Sequence, residues 1–149
     1  MMRTAAVFWH PTMTAFDACI RELLMQGTED WVHAALLAWI AQSPGGATSP
    51  EAQRTLSIRL ITEVLIKGYM EIGETTAGRG ANAFGKWDVP MDEAISRVER
   101  EWKHPEELPV TRLMSYPQPG DICWLSNTSL GDSLGRQFLS ERLHERPTE

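Results

Sequence analysis

The sequence holds only two cysteines in 149 residues, Cys19 and Cys123, and no C-x-x-C pair. A disulfide framework and a thiolate zinc site are therefore excluded. Basic side chains are in the minority: 14 Lys and Arg stand against 20 Asp and Glu, for a net charge of −6. That balance argues against a general nucleic-acid coat or a basic membrane-surface protein. Long hydrophobic runs are missing too. The longest, Trp31 to Ala41, is interrupted by His33 and falls well short of the ~18 residues a membrane span needs. The apolar start from Ala5 to Trp9 is too short for a signal-peptide core, and no small-residue cleavage site follows it. Together these absences predict a cytoplasmic protein with reduced thiols and no membrane partner. The histidines His10, His33, His104 and His144 show no i,i+3 or i,i+4 pairing with one another or with cysteine, and no G-x-x-x-x-G-K-[ST] string occurs. Neither a metal site nor a nucleotide or other cofactor is expected.

What is present is ordinary globular material. Apolar residues make up 42% and charged residues 23%, so residues 1–149 read as a single domain rather than a disordered chain. Phe16, Ile20, Leu23 and Leu24 repeat at helical spacing, with Thr14 and Asp17 as the cap and Gly27 as the stop. Trp31 to Gln42 is apolar nearly all round, which marks a central helix with Trp31 and Trp39 buried. A third helix is announced by Thr48 with Glu51 and by Pro50 in the first turn. It carries the stripe Leu56, Leu60, Ile61, Val64, Leu65 and stops at Gly68.

Beyond Gly68 the period becomes two, predicting a strand over Tyr69–Glu74 and then a glycine-rich loop from Thr75 to Gly85. An inserted helix follows over about residues 90–103, with Met91, Ile95, Val98 and Trp102 on one face, and Trp87 placed to staple its start. A proline-rich connector, about 105–120, leads to a second strand over Ile122–Leu125 and a last helix capped by Thr128. The predicted fold class is mainly α with a small antiparallel β-ribbon.

Three helices followed by a ribbon is the winged-helix arrangement. The residues Ile66-Lys67-Gly68-Tyr69-Met70 resemble the step from its third helix into the wing. The string Asp121-Ile122-Cys123-Trp124-Leu125-Ser126-Asn127-Thr128-Ser129-Leu130-Gly131 is similar to the MarR-type closing strand and the helix start after it. The elements Phe84, Trp87-Asp88, Glu93-Ala94, Arg97-Val98, Glu101-Trp102 and Gly120-Asp121-Ile122-Cys123-Trp124 also resemble a pattern in small uncharacterised bacterial proteins, which implies no activity.

The winged-helix resemblance implies a DNA-binding transcriptional regulator in which Arg54, Arg59 and Lys67 enter the major groove and Arg79 sits at the wing. Charge weakens that expectation. Residues 51–86 carry five basic and four acidic side chains, a balance of +1, and the rest of the chain carries −7. The leading expectation is therefore a non-catalytic domain that binds and masks a protein partner, as an immunity protein or inhibitor does. Phe8, Trp9 and Trp87 are its candidate aromatic anchors. The pattern also allows a homodimer through the terminal helices. Gly131-Asp132-Ser133-Leu134-Gly135 fits the G-x-S-x-G nucleophile string, making a serine hydrolase through Ser133 the remote alternative. Its acid and histidine are missing, because only His144 follows and it lies roughly 16 Å further along the same helix.

Overall fold

The computed structural model describes residues 13–75 and 83–145. They form six α-helices and one four-stranded antiparallel sheet, the mainly helical α+β class that the periodicity predicts. Helix α1 (Ala15–Gly27) starts at Thr14, whose hydroxyl accepts the Asp17 N–H while the Asp17 carboxylate accepts the Thr14 N–H. Two otherwise orphaned donors are thus satisfied reciprocally.

The apolar run from Trp31 does not continue as one helix. Val32–His33 forms a short strand, β1, and α2 spans Ala34–Gln42. His33 is the cause: its Nδ1 accepts the Leu36 N–H at 3.1 Å, so the residue expected on a helix face is the cap that begins the helix. Helix α3 (Pro50–Ile66) is capped by Ser49, not Thr48, because Pro50 fills the first helical position, where its missing N–H is harmless. Gly68, at φ +73°, turns the chain out of α3 in a left-handed conformation that favours glycine, and β2 (Met70–Thr75) follows.

The glycine loop ends sooner than expected, since Phe84–Lys86 forms β3 and pairs antiparallel with β2. The closing strand β4 is Trp124–Asn127, displaced by two residues from Ile122–Leu125. Ile122 has φ +69°, which no strand accommodates, and the Cys123 N–H turns back onto the Asp121 carbonyl at 2.7 Å. The sheet runs β1-β4-β2-β3, with Leu125 facing Val32 on one side and Ile72 on the other.

Between β3 and β4 lies the inserted segment. Helix α4 (Met91–Glu101) is followed by a 3-10 turn (Pro105–Glu107) and the single-turn α5 (Val110–Leu113), so the connector is more ordered than its prolines suggest. The final helix, α6 (Ser129–Glu145), lies against α1. A Cβ at Gly131 would strike the Tyr69 carbonyl oxygen, and one at Gly135 would strike that of Leu24. Leu23, Leu24, Leu37, Leu60, Ile61 and Val64 are fully buried between the helices, and Ala94, Val98 and Trp102 extend the same cluster into α4.

Candidate functional site

The expected DNA-contacting side chains do not share one free face. Arg54 is spent within the fold: its Nε donates to the Trp102 carbonyl at 2.7 Å and its Nη2 to the Glu99 carbonyl at 2.8 Å. These oxygens belong to the last turn of α4 and the residue after it, where helix carbonyls lack intrahelical partners. Arg59 is exposed with its guanidinium 4.7 Å from the Phe16 ring centroid, and the Lys67 ammonium lies 3.9 Å from the Glu63 carboxylate. Arg79 falls outside the described residues, as do Phe8 and Trp9.

Trp87 corrects an expectation. It is only 6% exposed, so it is not a surface anchor. Its indole N–H donates to Glu74 Oε1 at 3.3 Å, and the Arg97 guanidinium sits 3.8 Å from its ring centroid. A buried tryptophan retains its polar handle by such a bond, and here the result fastens β2, β3 and α4 together. Trp87 also helps line an apolar groove of about 310 Å³, together with Leu65, Met70, Ile72, Val89 and Met91.

Trp39 corrects another expectation. Expected in the core, it is 67% exposed on α2, whose Leu37, Ile40 and Ala41 face inward. A helix that is apolar on every side offers no periodic clue to which residue points outward. Val110 at 85% and Met114 at 94% exposure, at i,i+4 spacing on and just after α5, are the other strongly exposed apolar side chains of this part of the chain. The segments bearing all three meet at one seam. Ala38 of α2, Pro50 and Arg54 of α3, and Pro105, Leu113 and Tyr116 of the connector line it. Trp39 directly follows Ala38, and Met114 directly follows Leu113. The seam encloses only about 10 Å³, so it is a packed junction and not a ligand pocket.

Polar ties hold the seam shut. The Tyr116 hydroxyl donates to the Glu101 carbonyl at 3.2 Å and accepts the Lys103 N–H at 3.0 Å. Burial raises the Tyr116 pKa and keeps that hydroxyl protonated. At the far end, His104 Nδ1 lies 3.3 Å from Glu51 Oε1, and the His104 N–H donates to Glu107 Oε1 at 2.7 Å. No spacing rule links Glu51 to His104, 53 positions later, and only the fold brings them together.

Nucleophilic groups are poorly placed for chemistry. Ser133 is exposed in the second turn of α6, not on a strand-to-helix elbow, and the two glycines of its motif serve the close packing of α6. The His144 Nδ1 donates to the Ser140 carbonyl at 2.8 Å on the same helix. Burial, with the Glu101 charge adding to it, pushes the Cys123 thiol up to about 12, and burial raises Cys19 as well. No described helix is long and apolar enough to cross a membrane. No protein-family model matches this chain, and no curated protein or solved structure is significantly similar to it.

Proposed function

We propose that this chain is a non-catalytic, cytoplasmic domain that binds a protein partner through the α2–connector face and masks it, in the manner of an immunity protein or inhibitor. The observation that carries this reading is Trp39, a large aromatic left 67% exposed on a helix whose Ala34, Leu37, Ala38, Ile40 and Ala41 are buried. Tryptophan is among the residues most enriched at the energetic centres of interfaces. Val110 and Met114, on the connector segment that lines the same seam, are further exposed apolar groups, and the net charge of −6 suits a partner whose apolar pocket has a basic rim.

The test is co-purification from the native source with wild type and Trp39→Ala. Because the side chain is exposed, the substitution should leave thermal stability within about 0.5 kcal/mol while a stoichiometric partner is lost. A partner retained undiminished by Trp39→Ala overturns this reading.

One observation favours a second reading, the winged-helix DNA-binding regulator. Helix α3 passes through Gly68 directly into β2, and β4 lies between β1 and β2, an order compatible with a wing. Arg59 and Lys67 are its exposed cations. Replacing each with Ala should lower the salt slope of duplex binding by about one phosphate equivalent. Absence of salt-dependent duplex binding in wild type rejects this alternative.

A further inference from the structure

We propose that Glu51, His104 and Glu106 bind one divalent transition-metal ion of the zinc type, which clamps the connector to the first turn of α3. One ligand atom from each of the three residues can be chosen so that all lie within 4.8 Å of one another. Glu51 comes from α3, while His104 and Glu106 come from the start of the connector. The nearest pair, Glu51 Oε1 and His104 Nδ1, are 3.3 Å apart. Two ligands on a tetrahedral ion with bonds of about 2.0–2.1 Å are separated by about 3.3 Å. Glu106, the third ligand, is exposed.

Charge and donor type support the same assignment. Among the described residues, no Lys or Arg forms an ion pair with Glu51, Glu106 or Glu107. The nearby Arg54 guanidinium is directed at backbone carbonyls instead. Converging carboxylates with no Lys or Arg partner leave a local excess of negative charge, which a divalent cation relieves. An imidazole nitrogen in the set suits zinc and its neighbours, whereas magnesium and calcium take oxygen ligands. The local chain is also ordered: the Glu107 carboxylate accepts the His104 backbone N–H, and Pro105 opens the turn that holds His104 and Glu106 two residues apart. Water completes the coordination, since the site faces solvent. Pro50 and Pro105, sequence neighbours of all three ligands, line the seam together with Ala38 of α2, so the ion would stiffen that junction without entering it.

This inference stands apart from the partner reading and needs no partner to test. Zinc alone is titrated calorimetrically into the full metal-free chain, with cobalt substitution to record the d–d absorption of an N/O site. One saturable equivalent is expected, weakened at least ten- to hundredfold in His104→Gln and in Glu106→Gln. Circular dichroism of both variants should be unchanged, because both side chains are surface groups. Excess magnesium should not displace the ion. Absence of saturable one-to-one binding overturns the proposal. So does binding that survives both variants, the mark of an adventitious ion only, and so does displacement by magnesium.

Discussion

The helical core and the inserted segment are held by different chemistry. In the core, α1, α2 and α3 meet through side chains with no exposure at all, Leu23, Leu37, Leu60 and Val64 among them. The insert, from β3 to the end of the connector, contributes few fully buried groups: Val98 is completely covered, and Ala94 and Trp102 nearly so. It is otherwise attached by polar fasteners, namely Arg54 on two carbonyls and Trp87 between Glu74 and Arg97, while Tyr116 on Glu101 and Lys103 ties the connector back to the end of α4 within the insert. Apolar burial scales with area and is indifferent to direction, whereas hydrogen bonds fix geometry for a modest net gain. A layer attached mainly by the second kind of force can open locally while the first stays closed.

The largest effect should come from removing the insert's chief apolar anchor. Trp102 is 3% exposed, and truncating a buried tryptophan to alanine costs about 3–5 kcal/mol. The comparison predicts that Trp102→Ala discharges this cost locally. Native-state hydrogen exchange should show amide protection collapsing over Met91–Glu101 while the α1 and α6 amides keep theirs. Equal loss in all three helices would mean that core and insert form one cooperative unit, and the distinction would fall.

A smaller effect tests the polar fasteners directly. Arg54→Ala removes two hydrogen bonds from a charged donor, worth about 1.5–3 kcal/mol at most given that one of them is exposed. Arg54→Lys should recover little of it, because a single ammonium does not reproduce the fork that serves both carbonyls. The measurement is again exchange at the end of α4, with the α1–α6 contact as the internal reference. Full rescue by lysine would show that charge, not geometry, fastens the insert.

How far the sequence foretold this architecture depended on whether the signal was local. The Thr14–Asp17 cap, the Gly68 stop and the period-two run into β2 each involve neighbours along the chain, and each appears where expected. β1 was hidden because two residues at the head of an apolar run look like helix. β3 was hidden because Phe84-Gly85-Lys86 follows a glycine-rich stretch and becomes a strand only by pairing with Gly73–Thr75. The site suffered more. Trp39 and Trp87 exchanged expected roles, since helical periodicity assigns a stripe but not the neighbour that covers it. Arg54 looked like a free cation because its carbonyl partners lie 45 and 48 positions away. Convergence of Glu51, His104 and Glu106 is likewise a product of tertiary folding.

The smallest predicted effect separates the two regions by pH. The insert's principal fastener is a guanidinium, which stays charged throughout the accessible range. Within the core, by contrast, α2 is capped by His33, whose Nδ1 must carry a lone pair to accept the Leu36 N–H. Burial lowers the His33 pKa, partly opposed by the Asp30 charge, so the folded state favours the neutral ring. The cap therefore contributes fully above the ordinary histidine value of 6.5 and is lost as pH falls through the lowered folded value. His33→Ala should cost about 1 kcal/mol at neutral pH. His33→Asn, which keeps an acceptor but does not titrate, should remove the acid-induced weakening that begins below 6.5. Chemical denaturation of both variants across that range, with exchange read at α2 and α4, supplies the check. If the difference between wild type and His33→Asn does not change with pH, or if α4 rather than α2 loosens on acidification, the acid-sensitive contact lies in the insert.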